Sequence, residues 1–194
     1  YTLWSMGEKN SKNRSENPLR NPSSTPEVGH YPNRPPLLAL DLGERTGWAG
    51  VAAEWPADHF LFSGVQHFPL YRGESVGMRF IRFKSWLNEM IERGKPAVIV
   101  YESAIAFHAS MYAAQIAHGM AAILQVVATE RKVELMTATP GEVKRAATGK
   151  GNAPKPVMLA AAREQFPAVK IIDDNHADAL FLLRYAMVVL GGRR

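Results

Sequence analysis

An α/β domain built on a mixed sheet is the fold class that the sequence predicts, and three observations predict it. Short β-rich runs at residues 37–41, 48–53 and 60–68 follow one another closely enough to form an antiparallel meander. After them, helical patterns alternate with buried-type strands, as in α/β sheets. Two of the strands, 37–41 and 97–101, lead to a carboxylate, Asp41 and Glu102. In open α/β sheets, sites form outside the carboxyl ends of the strands.

Residues 1–36 are a different material. Six prolines (Pro18, Pro22, Pro26, Pro32, Pro35, Pro36) sit among Ser, Asn, Lys and Arg with no apolar period, so the segment cannot bury enough surface to offset its ordering entropy. It reads as a disordered, basic, Pro-rich arm, and residues 37–194 as the folded domain. Lys9, Lys12, Arg14, Arg20 and Arg34 outnumber Glu8, Glu16 and Glu27 there, which suits a solvated tail or a segment that grazes DNA. Tyr1 stands where an initiator Met would, so a fragment or processed form is expected.

Residues 37–41 read Leu-Leu-Ala-Leu-Asp, followed by Gly43 and Gly47 as turn residues. A carboxylate at that strand end costs free energy unless it is paired. A metal ion, a phosphate held through a metal, or turn N–H groups would each serve. Gly43 and Gly47 are expected to keep the chain slim enough for a phosphate to approach. A helix over 76–93 follows, with Met78, Ile81, Trp86, Leu87, Met90 and Ile91 at helical spacing, and Gly94-Lys95-Pro96 stops it.

The strand at 97–101 delivers Glu102, and two nearby carboxylates repel unless a cation sits between them. Phe107 and His108, in the loop that follows, suit a stacking pair against a base or a core aromatic beside a solvated histidine. An alanine-rich helix spans 110–131, with Tyr112, Ile116, Met120, Ile123, Leu124 and Val127 on its apolar side. Its alanines permit close packing on the sheet or on a second subunit.

A strand at 133–137 precedes Thr139-Pro140-Gly141-Glu142, a helix start with Thr139 as N-cap and Glu142 three residues later. Lys144, Arg145, Lys150, Lys155 and Arg163 then dominate, and residues 148–152 form a flexible loop between two short helices. That loop suits phosphate contact, or forms a solvated basic face; it lacks the spacing of a Walker loop. Finally, Asp173-Asp174-Asn175-His176-Ala177-Asp178 leads into an apolar helix over 181–190. Asp174 and Asp178 share a helical face, and one of Asp173 and Asp174 has an ordinary cap role.

Composition bounds the chemistry. The chain has 194 residues, 46% hydrophobic and 21% charged, enough for one domain with a full core. A formal charge of +5 favours a polyanionic partner. Absence of cysteine removes disulfides, thiolate metal sites and cysteine nucleophiles, leaving oxygen ligands or histidine for any metal. No signal peptide or membrane span is expected, the most apolar run being 177–192, and the setting expected is cytoplasmic.

Taken together, the strand with Asp41-Leu-Gly43, the strand ending in Glu102, the basic helix-loop segment and the final Asp-x-x-x-Asp-Ala-Leu resemble the RuvC-type Holliday junction resolvases, particularly their phage-like branch. The resemblance covers residues 37–190. It implies an RNase H-like fold, a mixed five-stranded sheet with helices on both faces, in a homodimer that nicks opposed strands of a four-way DNA junction. It also implies metal ligands at Asp41, Glu102, Asp178 and one more on the same helix, and functional lysines at Lys144 and Lys155; the basic segment itself adds Arg145, Lys150 and Lys155 as expected DNA contacts. For the fourth ligand, the bacterial pattern falls on Asn175, whereas Asp174 matches the spacing of mitochondrial-type resolvases and His176 is a further candidate. The family's junction-opening aromatic falls on Ile105, with Phe107 two residues beyond it.

On this reading two Mg²⁺ ions, about 3.5–4 Å apart, serve phosphodiester hydrolysis, and Mn²⁺ is a possible substitute because the ligands are oxygens. Three alternatives stand beside it: a YqgF-like RNase H-fold nuclease of RNA maturation, a non-catalytic DNA-junction-binding protein, and an actin-like ATPase, for which a second phosphate-binding domain is missing.

Overall fold

Strand alternation decides which face of the sheet each side chain serves, and here it sorts the chain into two cores. The computed structural model describes residues 35–51, 61–103 and 110–191. Nearly all of the expected N-terminal arm, together with Ile105, Phe107 and His108, lies outside the described residues. The elements are β1 (Leu37–Asp41), β2 (Arg45–Val51), β3 (Leu61–His67), α1 (Val76–Gly94), β4 (Val98–Glu102), α2 (Met111–Arg131), β5 (Glu134–Ala138), α3 (Pro140–Thr148), α4 (Lys155–Gln165) and α5 (Asp174–Gly191). They match the expected order, with boundaries moved by a few residues.

The five-stranded sheet runs β3-β2-β1-β4-β5. β1 pairs antiparallel with β2, and β2 with β3, which is the expected meander. β4 lies parallel to both β1 and β5, as strands joined through helices must. Leu38, Leu40, Ile99 and Tyr101 point to one face, against Phe83 and Leu87 of α1 and Met120 and Leu124 of α2. Leu37, Ala39, Val98 and Val100 point to the other, against α3, α4 and α5.

The α1 side is built from large side chains. Phe68 meets Phe83 edge-on at 5.5 Å and Trp86 at 5.6 Å between ring centroids. Gly119 of α2 lets α1 come close, because a Cβ there would lie 2.4 Å from the Phe80 ring. The buried stripe of α1 is Arg79, Phe83, Leu87 and Ile91, whereas Ile81, expected inside, is 61% exposed. The helix is turned from its expected phase because an arginine occupies the first buried position. α2 is long and apolar enough to cross a bilayer by length and composition, which corrects the expectation that no segment would be. Here Ile116, Met120, Leu124 and Val127 pack it on the sheet.

Arg79 is 2% exposed, and each of its three guanidinium nitrogens has a partner. Nε donates to the Phe68 carbonyl at 2.7 Å and Nη1 to the Tyr112 hydroxyl at 2.9 Å. Nη2 pairs with Glu44 at 3.0 Å. One side chain thereby joins the β1–β2 turn, the end of β3 and the first turn of α2. Arg79→Met keeps the apolar stem but leaves the buried Phe68 carbonyl without its donor and frees the exposed Tyr112 and Glu44 to water, and should lower unfolding free energy by about 1–3 kcal/mol. Urea denaturation measures this; an unchanged midpoint would mean that the network contributes packing alone.

Candidate metal and nucleic-acid site

The alternation that fills the two cores also aims the strand-end acids. Leu37 and Ala39 belong to the α5 side, so Asp41, two residues on, points the same way. Val98 and Val100 do the same for Glu102. The register sets Leu37 opposite Val98 and Leu40 opposite Tyr101, and one further step brings Asp41 level with Glu102. The two acids are neighbours at the C-terminal ends of two adjacent parallel strands.

α5 brings the remaining acids to them. Gly47, the β2 partner of Asp41, lies so close to the helix start that a Cβ there would come within 1.9 Å of the Asn175 carbonyl oxygen. The glycine admits the protein's own backbone, which corrects the expectation that it makes room for a phosphate. At Gly43 the nearest atom to such a Cβ is 3.7 Å away. Asp173 is the N-cap of α5: its Oδ1 accepts the His176 N–H at 3.0 Å, and its Oδ2 pairs with Arg45 at 2.7 Å. With Asp173 occupied, Asp174 and Asp178 are the acids that turn toward Asp41.

Electrostatics record the crowding. Burial, then Asp178, Glu102 and Asp174, push Asp41 well above the ordinary carboxylate range, with Lys155 opposing. Burial followed by Asp178 raises Glu102 to about 7 against the pull of Lys144. Burial and Asp174 raise Asp178 to about 6 against Lys155 and Lys144. Asp174 is instead held low by its hydrogen bond from Lys155. The arrangement is a set of carboxylates short of positive charge, with one lysine partly supplying it.

Comparisons with known proteins agree on one family. No family model matches the chain. The crossover junction endodeoxyribonuclease RuvC of Brachyspira hyodysenteriae is 28% identical over 144 residues, spanning 74% of this chain and 88% of that protein. Thermus thermophilus RuvC superposes with TM-score 0.67 in a structure with a Holliday junction substrate, at 21% identity over 82% of this chain and 97% of that one. A second structure of Thermus thermophilus RuvC gives 0.61 at 22% identity, over 80% and 97%. The chain is RuvC-like in sequence and in fold. The yeast mitochondrial Holliday junction resolvase Ydc2 superposes with TM-score 0.59 at 14% identity, covering 78% of this chain and 77% of that one. The expected RNase H-like sheet with helices on both faces is the fold the RuvC-like chain has.

Of the other expected site residues, Lys144 lies close enough to Glu102 and Asp178 to lower both, and Lys155 contacts Asp174 directly. Arg145 and Lys150 are exposed around the α3–α4 loop, where Gly149 ends α3 in the left-handed region at φ 75°. The expected capping box is present, with Glu142 N–H donating to Thr139 Oγ1 at 3.3 Å and Thr139 N–H to Glu142 Oε2 at 2.8 Å. His176 turns away from the acids: it is 2% exposed and bonded to Ser63 at 2.9 Å, which removes it from the candidate ligands. Asn175 places its backbone on Gly47. Sequence reasoning missed Ser63, Arg45 and the role of Gly47, because each acts through a partner far away in the chain.

A divalent cation fits the chemistry of this donor set, which is oxygen-only, anionic and mutually repelling. Among the described residues, no three such side chains are gathered tightly enough to form a ready-made cage. Repulsion between carboxylates explains that spacing, as does Lys155 drawing Asp174 to itself.

Two outcomes follow from the site alone. Gly47→Ala should destabilise the chain by about 3 kcal/mol or more, since backbone must move, while Gly43→Ala should change the urea midpoint little. For pH, Glu102 is raised from 4.5 to about 7, so the folded metal-free protein binds a proton that the unfolded chain releases. Its stability should therefore rise as pH falls from about 8 to 6.5, by about 1 kcal/mol. His176, kept neutral by burial, opposes part of this gain as pH nears 6.5, because the unfolded chain protonates that histidine there. Melting in EDTA across that window measures the slope; Glu102→Gln should reduce it, the raised Asp41 and Asp178 keeping part of it, and added Mg²⁺ should reduce it further.

Proposed function

We propose that this chain is a structure-selective DNA endonuclease that nicks four-way junctions by metal-dependent phosphodiester hydrolysis, in recombination, repair or phage DNA processing. The observation that carries the reading is the meeting of Asp41, Glu102, Asp174 and Asp178 with Lys144 and Lys155 at the ends of β1 and β4. The Brachyspira relative is a crossover junction endodeoxyribonuclease and the Thermus RuvC structure holds a Holliday junction substrate, which supports the choice of substrate.

Asp41, Glu102, Asp174 and Asp178 would hold two Mg²⁺, or Mn²⁺ in their place. Bound cations supply activation of the attacking water and charge stabilisation at the leaving 3′-oxygen. The chain's own contribution is orientation and charge. Asp41 and Glu102 are fixed by strands and Asp178 by the second turn of α5, so the ligands are mounted on rigid elements. Lys155 and Lys144 stand beside the acids to offset the charge that builds on the phosphate. Arg145 and Lys150 extend that positive surface along the DNA backbone.

A homodimer belongs to the reading, since symmetric resolution needs two sites. Val126, 53% exposed, and Ala122 give the outer face of α2 the small apolar surface that a helix of a second copy would cover. The setting implied is the cytoplasm of a bacterial or phage-infected cell.

A nicking assay on a mobile four-way junction tests the proposal. Wild type should cut in Mg²⁺ or Mn²⁺ and bind without cutting in Ca²⁺, and sediment as a dimer. Asp41→Asn and Asp178→Asn should each lose at least about 10³-fold in rate, on the scale of a lost transition-state contact, while junction binding persists. Full nicking by both variants would sink the site assignment. Preference for structured RNA over junction DNA would favour the YqgF-like alternative.

A further inference from the structure

Asp174 and Asp178 are useful only if the first turns of α5 are rotated toward the sheet ends, and a helix turns by about 100° per residue. Something must fix that rotation. Packing at Gly47 sets how near the helix lies, but a close backbone contact alone leaves rotation about the axis open.

His176 lies between the two acids in sequence and points into the protein, 2% exposed. The backbone N–H of Ile172 donates to its Nδ1 at 3.2 Å, so Nδ1 carries no hydrogen and Nε2 does. Nε2–H then donates to Ser63 Oγ at 2.9 Å. Ser63 is on β3, the edge strand, opposite Ala49. The ring thus ties the helix to a strand on one side and to the segment entering the helix on the other. An apolar side chain would fill the same space, but only a residue with an acceptor and a donor at these two positions selects one rotational setting.

We propose that His176, together with Ser63, is a positioning residue for the metal-binding face of α5, turning Asp174 and Asp178 toward Asp41 and Glu102. This rests on the nuclease reading above. It acts as outer partners of metal ligands do, whose loss lowers metal affinity by about 10–100-fold.

The test compares wild type, Ser63→Ala, His176→Phe and His176→Gln by Mn²⁺ titration calorimetry on the full chain, by melting in EDTA, and by junction-cleavage kinetics. Ser63→Ala should melt near wild type and His176→Phe lower, since the Ile172 N–H loses its acceptor, yet both should bind Mn²⁺ about 10-fold more weakly, with lower kcat and unchanged KM for the junction. His176→Gln keeps an amide able to donate to Ser63 and should recover part of the affinity. Ser63→Ala decides the matter even where His176→Phe fails to fold: wild-type Mn²⁺ affinity in Ser63→Ala overturns the positioning role and leaves the nuclease reading standing. Wild type that binds no Mn²⁺ overturns both.

Discussion

The backbone of α5 rests on the sheet at Gly47, and the site depends on that contact. A helix packed through ordinary side chains stands roughly 10 Å from a sheet, too far for its first-turn acids to meet acids at the strand ends. Here small residues line the approach. Ala39 and Ala49 on the strands and Ala177 and Ala179 on the helix are all buried, and Gly47 removes the last Cβ where Asn175 arrives. The other face of the sheet carries the larger side chains of Phe83, Leu87, Met120 and Leu124 between strands and helices.

Crowding acids on the α5 face has an electrostatic consequence that the surrounding residues manage only in part. Lys155 and Lys144 each lower the pKa of carboxylates near them, yet Glu102 remains near 7 and Asp178 near 6. Full compensation by protein groups would leave nothing for a cation to gain. A deficit of positive charge is what allows binding to be favourable, because the energy released by relieving repulsion adds to that of coordination. Lys155 on Asp174 is the partial substitute, mounted at the start of the short helix α4 with its side chain largely exposed.

Much of this was legible along the chain. The continuous apolar runs at 37–40 and 97–101 place Asp41 and Glu102 at the ends of buried strands, and Thr139 and Glu142 announce the start of α3. These signals are local, carried by residues within one turn or one strand of each other. The phase of α1 was misread because Arg79 is buried through bonds to Phe68, Tyr112 and Glu44, partners on three other elements that no periodicity encodes. Gly47 was read as room for a ligand, when its neighbour is a backbone more than a hundred residues away. Of Asp173 and Asp174, the sequence says that one caps the helix; the His176 N–H on Asp173 Oδ1, with Arg45 of β2 on its other oxygen, shows that Asp173 does.

That division of labour at residues 173–178 explains why so many polar side chains stand together without being equivalent. Asp173 accepts the His176 N–H of the first turn, a role that suits a carboxylate at a helix N-terminus. Asp174 and Asp178, four residues apart, then share the face that looks toward β1 and β4. His176, two residues from each, necessarily projects to the opposite side, where burial holds it neutral and able to accept at one nitrogen while donating at the other. A second carboxylate at 176 would be buried beside Ser63 without a cation, and an apolar residue would leave the Ile172 N–H unpaired. The alternation of acid, histidine and acid along one turn and a half therefore follows from helix geometry once one face must hold charge and the other must hold position.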